Sequence, residues 1–264
     1  MDYSYEDLRA IAYKVSSEAA ALLRDNICDP RMAERIRGET TRADKLSEDY
    51  IVEALVREGL NVTIVSEEMG VKGKGDLVAL VDPLDGSINY INCIPWASVS
   101  IAFGLGPKRD GKGVIVAGSV APVFNDPPLS FTLGKGCYKG GIKVEASDKE
   151  ESEIIAVYID NKDVAQLLSK ASFLQEYKLR SLGSASLELS YVGLGLISAF
   201  LDLRARLRNI DIAAAYGIVR ECGGKVVDGL GRELSIPVMP IKKLGKVIAA
   251  RSIELLEKIL EATS

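Results

Sequence analysis

Residues Leu77 to Val81 form an almost unbroken apolar run that closes in Asp82-Pro83-Leu84-Asp85-Gly86-Ser87. A run of that kind reads as a buried strand, around which the rest of the chain has to be built. Pro83 and Gly86 then reverse the chain, leaving two carboxylates at the mouth of the strand. Carboxylates in such a place are costly unless something positive sits beside them. The 264 residues include no histidine. The expected partner is therefore a hard, oxygen-seeking cation such as Mg²⁺. Asp82 and Asp85 can both face it, with the main-chain carbonyl of Leu84 between them. The plainer alternative is an Asp-Pro and Asp-Gly turn with no chemistry.

The missing histidine also removes whole classes of mechanism. A Ser-His-Asp triad, a Cys-His pair and any imidazole base are excluded, and a zinc site of the usual kind is not expected. What chemistry there is must come from carboxylates, hydroxyls, Lys, Arg or metal. The four cysteines, Cys28, Cys93, Cys137 and Cys222, form no C-x-x-C pair and read as small buried hydrophobes. A net charge of −4 argues against a general binder of nucleic acid or anionic membrane. No apolar run reaches the ~18 residues of a membrane span. The acidic start, Met1-Asp2-Tyr3-Ser4-Tyr5-Glu6-Asp7, lacks the pattern of a signal peptide, so a cytoplasmic location is expected.

Periodicity predicts a helix over 5–27 and another over about 44–58, with a charged stretch at 30–43 between them. That stretch suits a mobile loop or, equally, a solvated connection. A short strand at 62–65 follows. From 77 to 145 the pattern is of strands, at 77–81, 97–105, 113–123 and 129–133, with glycine-rich turns between several of them, as in an antiparallel meander. From about 154 strands and helices alternate: strand 154–159, helix 163–171, helix 184–194, strand 197–203, helix 211–222, strands 225–228 and 246–250, and helix 252–262. The polar run Ser147-Asp148-Lys149-Glu150-Glu151-Ser152 suggests a soft boundary near residue 150, giving units at 1–150 and 151–264.

Two further acidic positions join the first. Glu67 and Glu68 end the strand at 62–65, so neighbouring strands finishing at one edge would gather three or four carboxylates. Asp211 opens a helix that stops at Gly223-Gly224. On its own, Asp211 could simply complement the helix dipole.

Taken together, Thr41-x-x-Asp44, Ser66-Glu67-Glu68, Asp82-Pro83-Leu84-Asp85-Gly86-Ser87-x-Asn89, Gly183-Ser184-Ala185 and Asp211-x-Ala213-Ala214 resemble the inositol monophosphatase superfamily. The order is the family's, and the motifs span most of the chain. The resemblance implies an α+β fold with an α/β second half, in the layered α-β-α-β-α sugar phosphatase arrangement. It implies a phosphoric monoester hydrolase using two or three Mg²⁺ ions, with Mn²⁺ as a substitute. Glu67, Asp82 and the Leu84 carbonyl would hold one ion; Asp82, Asp85 and Asp211 a second. Ser87, in the place of the family's Thr, would pair with Asp44 to activate the attacking water, with Thr41 in the adjoining motif. Gly86 and Ser87 amides, with Asp85, would meet the substrate, and the loop at 30–43 would close over the ions. The family's members are commonly homodimers.

The second half departs from the animal members of the family. Arg204 stands where those carry a Glu for sugar hydroxyls, and Ile210 replaces a Trp before the helix-opening Asp. Both departures resemble the archaeal branch with inositol monophosphatase and fructose-1,6-bisphosphatase activities. An arginine can grip a second phosphate in bidentate fashion. Arg180, Arg204 and Ala185 are therefore expected in the substrate pocket, with Tyr158 a weaker addition; a solvated basic strand end is the plainer account of the run Arg204 to Arg208. The expected substrates are inositol 1-phosphate and fructose 1,6-bisphosphate. Competing readings are a 3′-phosphoadenosine 5′-phosphate-type nucleotide phosphatase and a partner-binding protein that keeps the scaffold without turnover.

Overall fold

The computed structural model describes residues 3–106, 113–124, 126–145, 152–160 and 169–263. Helix α1 (Tyr5–Asp25) starts at a capping box, in which Ser4 and Asp7 satisfy each other's backbone donors. Its apolar stripe, Leu8, Ile11, Ala12, Val15, Ala19 and Leu23, is buried. The segment expected as a loop folds into a single 3₁₀ turn (Pro30–Ala33) and a hairpin of β1 (Arg35–Arg37) and β2 (Thr40–Thr41). It leads straight into α2 (Arg42–Arg57).

The strands that follow form one sheet of eight: β3 (Val62–Ser66), β4 (Gly70–Lys72), β5 (Leu77–Asp85), β6 (Ser98–Leu105), β7 (Val114–Pro122), β8 (Leu129–Thr132), β9 (Gly136–Lys139) and β10 (Ile142–Lys143). Their order is β10-β9-β8-β7-β6-β5-β3-β4. Every neighbour is antiparallel except β3 with β5. A one-turn helix, α3 (Ser87–Ile91), follows β5. The second half adds a five-stranded mixed sheet, β12-β11-β13-β15-β14, from β11 (Ile154–Tyr158), β12 (Lys178–Arg180), β13 (Ala199–Asp202), β14 (Lys225–Asp228) and β15 (Val247–Ala250).

Helices complete five layers, α-β-α-β-α. On one face of the larger sheet, Ala79, Val81, Ile101 and Phe103 pack with α1 and α2. On the other, Val78, Leu80 and Phe131 pack with α4 (Ala185–Gly193) and α5 (Asn209–Glu221), which also meet Phe200 and Ala249 of the smaller sheet. The last helix, α6 (Ile253–Thr263), covers the outer face of that sheet through Leu255, Leu256 and Ile259. Alternate residues of β5 thus enter two different cores, which is why Leu77 to Val81 is apolar at every position rather than at every second one. The close seat of α5 on the sheet needs Gly217, where a Cβ would stand 2.1 Å from the Phe131 ring.

The cysteines differ from expectation. They pair as Cys28 with Cys93 and Cys137 with Cys222, and Cys28 and Cys93 are exposed rather than buried. The partners lie 65 and 85 residues apart in sequence. Only the fold brings them together, by setting α3 beside the 3₁₀ turn and β9 against α5. The expected helix at 163–171 falls largely outside the described residues, as does most of the polar run at 147–152. Among the described residues no helix is long and apolar enough to cross a membrane.

Candidate metal centre

Parallel pairing of β3 with β5 sets Ser66 beside Val81, so Glu67 and Asp82 leave the sheet next to each other. Beyond Asp82 the register of β5 against β6 slips from Asp82 opposite Ser100 to Asp85 opposite Ser98. This bulge re-aims the turn, as bulges do beside functional sites. Gly86 follows with φ +89°, and a Cβ there would come within 3.0 Å of the Trp96 carbonyl oxygen. Across the interlayer space α5 brings Asp211 in its first turn, where Asp211 Oδ2 accepts the Arg208 N–H at 2.8 Å. Glu67, Asp82 and Asp211 each offer an oxygen, and the three atoms lie within 4.8 Å of one another.

Asp85 stands apart from that trio. Its Oδ2 accepts from Ser184 Oγ at 2.8 Å, from Ser186 Oγ at 2.6 Å and from the Ser186 N–H at 2.7 Å. These bonds tie the turn of the larger sheet to the start of α4. Leu84 is buried, and its carbonyl oxygen lies 2.8 Å from Ser87 Oγ.

Ser87 Oγ also lies 2.8 Å from Asp44 Oδ1. The other Asp44 oxygen accepts from Thr41 Oγ1 at 2.6 Å and from the Thr41 N–H at 2.7 Å, so Asp44 is the acidic half of the capping box that starts α2. Thr41 and Asp44 are both buried. Glu68, on the wall of the cavity these residues share, accepts from Thr40 of the hairpin. Thr41, Asp44, Glu67, Gly86, Ser87 and Gly183 share one cavity of about 320 Å³ with Arg35 and Ile88.

Burial raises Asp82 well above the ordinary carboxylate range, and Asp85, Asp211 and Glu67 raise it further by repulsion. Burial pushes Asp85 up to about 6, against the hydrogen bonds from Ser186 and Ser184. Glu67 is raised by burial and partly relieved by Arg208. Arg208 itself, despite burial, is held firmly protonated by Asp211 and Glu67. All the donors are oxygens, several are withdrawn from water, and their negative charges outnumber the single guanidinium. Such a set fits a hard divalent cation.

The rest of the pocket differs from the expected picture in its details. Arg180 is exposed on edge strand β12 and donates to its neighbour's carbonyl, Leu179 O. Arg204 stacks over the Tyr158 ring at 4.4 Å and pairs with the buried Asp202. Ala185 is the buried first residue of α4. None of these three lines the cavity. Tyr158 reaches it at second hand, since its hydroxyl accepts the Gly183 N–H at 2.7 Å and donates to Glu188. Glu188, wholly buried on α4, also accepts the Leu182 N–H at 2.9 Å and is pushed up to about 7 by burial. Sequence reading missed Glu188, and its one signal was a lone carboxylate between Leu187 and Leu189. Arg208 was seen only as part of a basic run, with nothing to show that it would meet Glu67.

Comparison with known proteins finds one family along almost the whole chain. The model of the inositol monophosphatase family matches residues 4–264. The chain is 50% identical over 253 residues to an inositol-1-monophosphatase of Aeropyrum pernix, covering 93% of each chain. It is 33% identical to a fructose-1,6-bisphosphatase/inositol-1-monophosphatase of Methanocaldococcus jannaschii, covering 84% of each. Among solved structures, a Pyrococcus horikoshii protein with similarities to inositol-1 monophosphatase superposes with a TM-score of 0.81 at 32% identity, covering 98% of this chain and 99% of that one.

Proposed function

Because this chain belongs to the inositol monophosphatase family, we propose that it is a Mg²⁺-dependent phosphatase of sugar phosphate monoesters, acting on inositol 1-phosphate and fructose 1,6-bisphosphate. The observation that carries this reading is the convergence of Glu67, Asp82 and Asp211 within 4.8 Å, in a centre whose turn also carries the Ser87–Asp44 pair. Phosphate monoesters hydrolyse very slowly on their own, so the main task is to neutralise charge and position the attacking water. Bound Mg²⁺, or Mn²⁺ in its place, would supply the neutralising charge and the activation of that water.

The chain's own residues supply the rest. Glu67, Asp82, Asp85, Asp211 and the Leu84 carbonyl would hold the ions. Ser87 Oγ can donate to Asp44 while its lone pair accepts a hydrogen bond from the water, so the pair orients the water. Thr41 fixes the Asp44 carboxylate by two hydrogen bonds, leaving one oxygen for Ser87. The Gly86 and Ser87 amides would receive phosphate oxygens. Arg180 and Arg204, with Ala185, would meet the far end of a bisphosphate. For Arg204 the support is its stacking on Tyr158, whose hydroxyl holds the cavity-lining Gly183. A homodimer, a cytoplasmic location, and units at 1–150 and 151–264 belong to the same proposal; the division is supported by the two sheets, whose strands fall on either side of it.

A phosphate-release panel with Mg²⁺ tests it, using inositol 1-phosphate, fructose 1,6-bisphosphate, fructose 6-phosphate and 3′-phosphoadenosine 5′-phosphate. The first two should turn over, and Asp82→Asn should lose at least ~100-fold of the rate, since an amide brings no charge to the cations. Turnover of the nucleotide alone, or full activity in Asp82→Asn, would reject the reading. Arg204→Ala should weaken use of fructose 1,6-bisphosphate more than of inositol 1-phosphate.

A further inference from the structure

The three arginines before α5 have different partners. Arg204 pairs with Asp202 and Arg206 with Asp160. Arg208 alone of the three reaches the acidic cluster. Its Nη2 lies 2.7 Å from Glu67 Oε1 and 2.8 Å from Asp211 Oδ1, and its Nε lies 3.0 Å from Asp211 Oδ1. Those two carboxylates belong to the trio whose oxygens lie within 4.8 Å of one another. The guanidinium therefore pairs with two of the carboxylates that a divalent ion would use. Its main chain is fixed separately, by the N–H bond to Asp211 and by a bridge to Lys243. The side chain is 30% exposed, so the guanidinium borders solvent.

We propose that Arg208 is a built-in competitor of the metal: a cation carried by the chain that neutralises Glu67 and Asp211, must be displaced for a divalent ion to bind them, and so sets the metal affinity. The inference rests on the reading of Glu67, Asp82 and Asp211 as ion ligands. Breaking the Arg208 pairs costs free energy that is subtracted from ion binding. The same pairs relieve repulsion among the carboxylates while they hold no ion. A neutral residue at 208 therefore acts in two opposite directions: the ion-free protein becomes less stable, and the ion binds more tightly. Simple structural damage would weaken both.

Calorimetric titration with Mn²⁺, without substrate, on the wild type, Arg208→Gln and Arg208→Lys tests this, together with thermal melts in EDTA and in Mn²⁺. Arg208→Gln should bind Mn²⁺ at least about tenfold more tightly, a change of ~1.4 kcal/mol. It should melt lower in EDTA, and the gap between its two melts should widen. Arg208→Lys, which keeps the charge but loses the two-pronged grip, should lie between. Unchanged or weaker binding in Arg208→Gln overturns the proposal. Should that variant not fold in EDTA, unchanged or weaker binding in Arg208→Lys overturns it instead. A wild type that binds no Mn²⁺ would reject the ligand reading itself, a separate result.

Discussion

Ser87 has one hydroxyl proton and two acceptors at 2.8 Å, Asp44 Oδ1 and the Leu84 carbonyl. Donation to Asp44 leaves the lone pair to orient a water. Donation to Leu84 weakens a carbonyl assigned to metal binding. Ser87→Ala removes the first role without touching a carboxylate. Its kcat should therefore fall by ~100-fold or more, as for the loss of an acid–base partner, while the Mn²⁺ titration stays at the wild-type midpoint. Ser87→Thr, which retains the hydroxyl and restricts its rotamer, should keep activity. Steady-state kinetics beside calorimetry would separate the two effects. At this scale the acidic residues were readable because each ends a strand or opens a helix, where a carboxylate needs a reason to be. Arg208 and Glu188 were not, because their partners lie in other elements: Glu67 on the far side of the chain for one, Tyr158 for the other.

The element that carries Asp211 is held by shape as much as by charge. Gly217 lets α5 approach the Phe131 ring so closely that any Cβ would collide with it. Gly217→Ala should cost ~1–3 kcal/mol by overpacking, visible as a lower melting temperature. It should also weaken Mn²⁺ binding, because the helix that moves is the one presenting Asp211. Long amphipathic helices such as α1 and apolar strands such as β5 to β7 were legible from period and composition. The short edge strands β4, β10 and β12, of two or three residues, carry too little pattern to read. The parallel pairing of β3 with β5, which brings Glu67 beside Asp82, is a property of topology rather than of either segment. So are the cysteine pairs.

For the molecule as a whole, the site is a store of unfavourable charge. Asp85 titrates at about 6 against an ordinary 3.8, and Asp82 is also raised. The folded protein thus holds more protons than the unfolded chain across that interval, and stability falls as pH rises through it. In EDTA the melting temperature should drop from about pH 4 through pH 6, where Asp85 loses its proton, and on to about pH 7, where Glu188 does. Mg²⁺ at neutral pH should restore it, and Asp85→Asn should flatten the slope. Metal binding should weaken in the opposite sense, as protons compete below about pH 6. Calorimetry over a pH series reads both. A second α/β layer was foreseeable from the switch between a meander and alternating strands and helices, and the five-layer order from the family resemblance; the seat of α5 between the sheets follows from packing.

The acidic trio also has an order in time. Synthesis releases Glu67, Asp82 and Asp85 well before α5 emerges, and a growing chain folds from its N-terminal side. Until α4 docks, Asp85 lacks Ser184 and Ser186, and until α5 docks the early acids have no Asp211 opposite them. The second ion of the proposed centre therefore lacks one of its carboxylates until α5 is in place. A chain cut short before residue 211 would hold the turn but be unable to complete the acidic trio.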